Sequence, residues 1–213
     1  MKLNNELLNK ITNEGAKKAL PSIFNLSTTL LLLIITYCVI TSLLILSQGS
    51  PFMGQYFFTP DSLLMLITGI LALIYACKLA FPDNNLKLHE KLIPFLPLSI
   101  LLVYFINLTL SQDTKVLVSC LKLNDFKCFF HMLKISLLPA IIGTFLLSRG
   151  FPTQHNWAGV HLILSISSFS YIILRLFEAP LNPLQMFIWH YIPVVLLLSI
   201  GIIIGNIIKR IGN

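Results

Sequence analysis

Charge is what this chain has least of. Asp, Glu, Lys and Arg make up 11% of its 213 residues, less than half the ~25% usual in soluble domains. Such a composition cannot cover a water-soluble fold. The chain also lacks a Cys-x-x-Cys pair, a glycine-rich phosphate loop, paired carboxylates and a nucleophile–base arrangement. Without these the expectation is a protein that is not an enzyme, holds no cofactor or metal, and takes no small-molecule substrate. No internal repeat is visible, which argues against an inverted-repeat transporter. The net charge of +7 forms no basic patch with interleaved aromatics, so direct nucleic-acid binding is not expected.

What the chain does have is apolar length. Six stretches run approximately Ile23–Leu46, Ser62–Phe81, Leu92–Leu110, Phe129–Leu147, Trp157–Phe177 and Phe187–Ile208, and ~20 apolar residues in helix cross the ~30 Å hydrocarbon core. The expected fold is all-α: a polytopic bundle of six transmembrane helices over residues 23–210, preceded by a cytoplasmic amphipathic tail over residues 1–22. The first stretch is too long for a signal-peptide core, and no small-x-small cleavage site follows it, so it reads as a retained span.

Orientation follows from the cations. Lys2, Lys10, Lys17 and Lys18 lie in the tail, Lys87 and Lys91 in the second loop, Arg149 in the fourth, and Lys209 and Arg210 at the end. The first and fifth loops, Ser47–Pro60 and Glu178–Met186, contain neither Lys nor Arg. The third is an exception, its Lys115, Lys122 and Lys127 partly offset by Asp113 and Asp125. The balance places both termini in the cytoplasm of a bacterial inner membrane, beside the lipid bilayer as obligatory partner.

Ionisable residues inside spans usually mark transport pathways. Here Lys78, His131, Lys134, His161, Arg175 and His190 all lie near span ends, with Arg175 one turn from Glu178, and none lies midway. That disfavours an ion-coupled transporter. Trp157, Trp189 and Tyr191 read as interfacial aromatics. Pro139 sits within the fourth span, Pro193 one turn into the sixth, and Gly201-x-x-x-Gly205 offers a small face for close helix packing. Ser165 with Ser168 offers another.

Of the four cysteines, Cys120 and Cys128 share the third loop, on the oxidising side where disulfides persist. They are candidates for signal sensing together with His131. Asp125, Cys128 and His131, at i, i+3 and i+6, are too loosely spaced to define a metal site. In the tail, Leu3, Leu7 and Ile11 recur every four residues with Leu8 beside them. They form an apolar stripe suited either to lipid or to a groove on a partner.

The second half of the chain resembles a known family. Cys128 stands about twenty residues before Ser148–Pro152, with Arg149 and Pro152 in it, and Trp157-Ala-Gly159 follows. Then come Pro180–Pro183, the Trp189–His190 pair, and Gly201–Gly205 with Lys209 and Arg210; Phe57–Asp61 and Lys78–Pro82 extend the likeness upstream. In these the sequence resembles the negative regulator of sigma F family of bacterial membrane anti-sigma factors. The resemblance implies a six-span protein whose N-terminal segment sequesters an extracytoplasmic-function sigma factor and releases it on an envelope or stress signal. The family pattern has a second cysteine shortly before the Trp–His pair, where this chain reads Leu176–Asn182 without one. A small transporter or channel is the alternative reading, and a membrane thiol–disulfide oxidoreductase the third.

Overall fold

The computed structural model describes residues 23–47, 59–81, 85–111, 126–150, 152–177 and 183–212. Among them are six long helices and no strand. Helix α1 is Ile23–Ser47 and α2 is Pro60–Leu79. Helix α3 spans Leu88–Leu110, tightening to a 3-10 turn at Ile93–Phe95. Helices α4 and α5 are Phe126–Ser148 and His155–Phe177. Helix α6 starts at Pro183–Met186, passes through a π-turn at Phe187–Tyr191, and continues over Ile192–Gly212. Five of these, α2 to α6, are long and apolar enough to cross a membrane, and α1 has an apolar stretch described over Thr28–Leu44. The protein is therefore a helical membrane protein. The candidate anchors Leu3, Leu7, Leu8 and Ile11, and also Cys120, lie outside the described residues.

Each helix begins and bends for local reasons. Pro60 opens α2, where its missing N–H costs nothing. The π-turn of α6 stands immediately before Pro193, whose ring would collide with the carbonyl four residues back and which has no N–H to offer it. Widening the turn accommodates the proline. Pro139 lies inside α4, which runs on past it.

The outside is greasy and the inside is partly polar. Leu32, Leu44, Ile100, Leu137, Ile141, Leu196 and Ile203 are among the many large apolar side chains facing outward, as expected where lipid is the solvent. Helix α5 occupies the centre, packed on α2, α4 and α6. Its Ser165, Ser167, Ser168 and Ser170 are all buried. Ser168 Oγ donates to Leu164 O at 2.7 Å, Ser170 Oγ to Ile166 O at 2.9 Å, and Ser170 Oγ meets Ser136 Oγ of α4 at 2.9 Å. Ser167 Oγ donates to Leu164 O at 3.2 Å, whereas Ser165 Oγ is buried with no hydrogen-bond partner among the described residues; small side chains of this kind let backbones approach closely.

The closest approach joins α5 to α6. A Cβ on Gly159 would lie 2.3 Å from Gly201 O, and one on Gly205 would lie 2.5 Å from Asn156 Cα. Gly201 and Gly205 thus form the small face expected of them, and Gly159 is its counterpart. Gly150, just after α4, is equally tight against the carbonyl of Ala80, just after α2. Gln154, before α5, hydrogen-bonds the Asn85 side chain, before α3. One end of the bundle therefore gathers the C-terminal ends of α2, α4 and α6 with the N-terminal ends of α3 and α5.

Candidate functional site

At the opposite end lies a buried charge pair. Asp61 sits in the first turn of α2 and Arg175 in the last turn of α5, both nearly inaccessible. Arg175 Nε donates to Asp61 Oδ2 at 3.1 Å, and Tyr171 Oη donates to the same oxygen at 2.7 Å. Tyr171 and Arg175 are four residues apart on one helix, so both reach the same carboxylate. The N-terminal position adds the favourable field of the α2 dipole to the negative charge. Removing two charges from water is costly, and the pair holds only because each charge has the other and a further donor is present.

The sixth helix joins this cluster through its π-turn. His190 is fully buried, its ring edge-on to Tyr171 with centroids 5.8 Å apart. Tyr191 points inward as well: it stacks on Phe187 at 5.5 Å, meets Phe105 of α3 at 6.0 Å, and donates to Leu98 O at 3.2 Å. Tyr191 is therefore buried in the bundle near the start of α6. Trp189, two residues earlier, stays half-buried. The arrangement works as a latch: Asp61, Arg175 with Tyr171, and His190 fasten α2, α5 and α6 at this end.

A second polar cluster marks the other end. His161 of α5 is completely buried among Tyr75, Phe95 and Trp157, with ring centroids 5.9, 5.6 and 5.9 Å away. Neither ring nitrogen has a hydrogen-bond partner among the described residues. Lys78 Nζ lies 5.1 Å from the centre of Tyr75 and Lys91 Nζ 5.6 Å from that of Trp157. Trp157, half-buried in the first turn of α5, is thus one wall of this cage. Cation–π contacts of this kind hold a lysine's charge against an aromatic face.

The other sequence candidates scatter. Cys128 is half-buried in the first turn of α4 and His131 is exposed one turn on. No three His, Cys, Asp or Glu side chains converge on a metal-sized site among the described residues. Arg149 is exposed, its guanidinium 4.6 Å from the centre of the Phe145 ring, and Pro152 is half-buried in the turn before α5. Sequence reasoning put Arg175 beside Glu178, which lies outside the described residues; the structure gives it Asp61 instead. Asp61, which the sequence sets at the entry to the second span, is a partner for Arg175 that the sequence alone does not name. A carboxylate at a helix start, paired with an arginine inside an otherwise apolar stretch, was the signal available.

Residues 13–210 match the family described as negative regulator of sigma F. The chain belongs to that family. The match takes in all six long helices of this negative regulator of sigma F, the latch and the α5–α6 glycines included, and leaves out residues 1–12. No curated protein and no solved structure matches it. A sigma factor is the partner that the family's description names.

Proposed function

We propose that this protein is an anti-sigma factor of the bacterial inner membrane, rather than an enzyme, which holds an extracytoplasmic-function sigma factor through residues 1–22. The family match over residues 13–210 supports negative regulation of a sigma factor, and the role given to the tail rests on its apolar stripe. Lys78, Lys87, Lys91, Arg149, Lys209 and Arg210 all lie toward one end of the bundle, supporting a cytoplasmic position for that end and for both termini. The tail's Leu3, Leu7, Leu8 and Ile11 would fill an apolar groove on the sigma factor as a helix formed on contact. A helix this short is marginal alone in water. Ordering on binding lowers affinity but makes release by a modest shift feasible.

The signal would arrive at the other end, where the Asp61–Arg175 latch lies and where α4 begins with Cys128 and His131, Cys120 preceding them in sequence. The test is co-purification: the detergent-solubilised full chain should retain an extracytoplasmic-function sigma factor expressed with it. The same chain carrying Leu7→Ala and Ile11→Ala should insert normally and lose that partner. Retention by the double variant refutes the tail as the binding element.

A further inference from the structure

Between α4 and α6 the bundle leaves a cavity of about 410 Å³, open to the side. Ile141 and Phe145 of α4 face Ile200, Ile207 and Ile211 of α6 across it, with Ile163 of α5 near its floor. Two hydroxyls reach its lining, and both are already engaged: Ser136 Oγ with Met132 O at 2.7 Å, Thr144 Oγ1 with Ala140 O at 2.6 Å. Whatever fills the space must be apolar along its length.

From Leu197 to Ile211 the lining follows α6 for ~20 Å at 1.5 Å per residue, a long apolar strip along which one extended hydrocarbon chain can lie. The charge at its end decides the occupant. Helix α1 is seated elsewhere, with Ile34 and Cys38 near Pro139 and Ile166.

The groove also has a charged end. Phe145 lines it, and the Arg149 guanidinium lies over that ring. Arg210 stands on the turn between Ile207 and Ile211, with Lys209 beside it. Arg149, Lys209 and Arg210 are exposed and have no ion-pair partner among the described residues. Guanidinium groups bind phosphate oxygens in two-pronged fashion, and basic pockets between transmembrane helices take anionic headgroups.

We infer that an anionic phospholipid binds here, one acyl chain in the α4–α6 groove and its phosphate on Arg149 and Arg210. The site depends only on the chain being in a membrane, not on the sigma-factor reading. The experiment is native mass spectrometry of the full chain in detergent, titrated with phosphatidylglycerol and, separately, phosphatidylcholine of the same acyl composition. Phosphatidylglycerol should be retained at least tenfold more tightly. Arg149→Gln with Arg210→Gln should abolish that preference while leaving the weak phosphatidylcholine adduct. Ile141→Trp, at an outward-facing position where a larger side chain needs no internal room, should reduce both adducts; Ile200→Trp provides the same block from α6. Equal retention of the two lipids, or adducts unchanged in both tryptophan variants, overturns the site. So does a second copy of the chain in place of lipid.

Discussion

Asp61 concentrates the consequences of a single side chain. Its carboxylate accepts from Arg175 and Tyr171 in a part of the bundle that water barely reaches. Asp61→Asn removes the negative charge and leaves Arg175 buried without it. Breaking a buried pair from one side typically costs about 3–5 kcal/mol. Asp61→Asn should therefore lower the unfolding midpoint in detergent markedly, and Asp61→Asn with Arg175→Met should recover most of the loss. Tyr171→Phe removes one hydrogen bond to a charged group and should cost about 1–2 kcal/mol. If Asp61→Asn unfolds like the parent chain, the latch holds nothing together.

The thiols make a different residue-scale prediction. If Cys120 and Cys128 act together in sensing, Cys128→Ser and Cys120→Ser should each blunt induction of sigma-dependent transcription under an oxidative or metal stress, without changing membrane levels. Unchanged induction by the single and double variants under each stress removes the thiols from the mechanism.

Among the elements, the α5–α6 contact is the most intolerant of change. Gly159 meets Gly201 and Gly205 backbone to backbone, so an added side chain has no flexible neighbour to push aside. Overpacking of this kind costs about 1–3 kcal/mol for small increments. Gly159→Ala should lower the unfolding midpoint measurably, and Gly159→Leu should prevent α5 and α6 from docking, seen as aggregation on solubilisation. Gly69, whose nearest atoms are the Ser168 and Phe169 side chains, should accept alanine with a smaller loss.

The helices were legible in the sequence because lipid demands long apolar runs, and each of the six expected stretches overlaps a described helix. The glycine face was legible too, from its four-residue spacing. The latch was not. Asp61 and Arg175 are 114 positions apart, and no local pattern states which helix end meets which. The burial of Tyr191 was not legible either, because its partners Phe105 and Leu98 lie in α3 and no local pattern in α6 names them. The aromatic cage around His161 draws one wall each from α2 and α3, so it exists only once those helices are packed on α5.

At the scale of the whole molecule, the two ends differ in kind. One carries a buried carboxylate–guanidinium latch across α2 and α5 with His190 of α6 alongside. The other carries most of the exposed cations among the described residues, and the glycine-tight α5–α6 crossing. The central claim is that the tail, presented by a membrane bundle, keeps a sigma factor inactive. The most direct measurement is transcription from a promoter dependent on that sigma factor, in cells making either the full chain or the chain lacking residues 2–14, with membrane levels of both quantified. The account predicts equal membrane levels, low transcription with the full chain, and constitutively high transcription with the deletion. Equal repression by the two inserted proteins would contradict it.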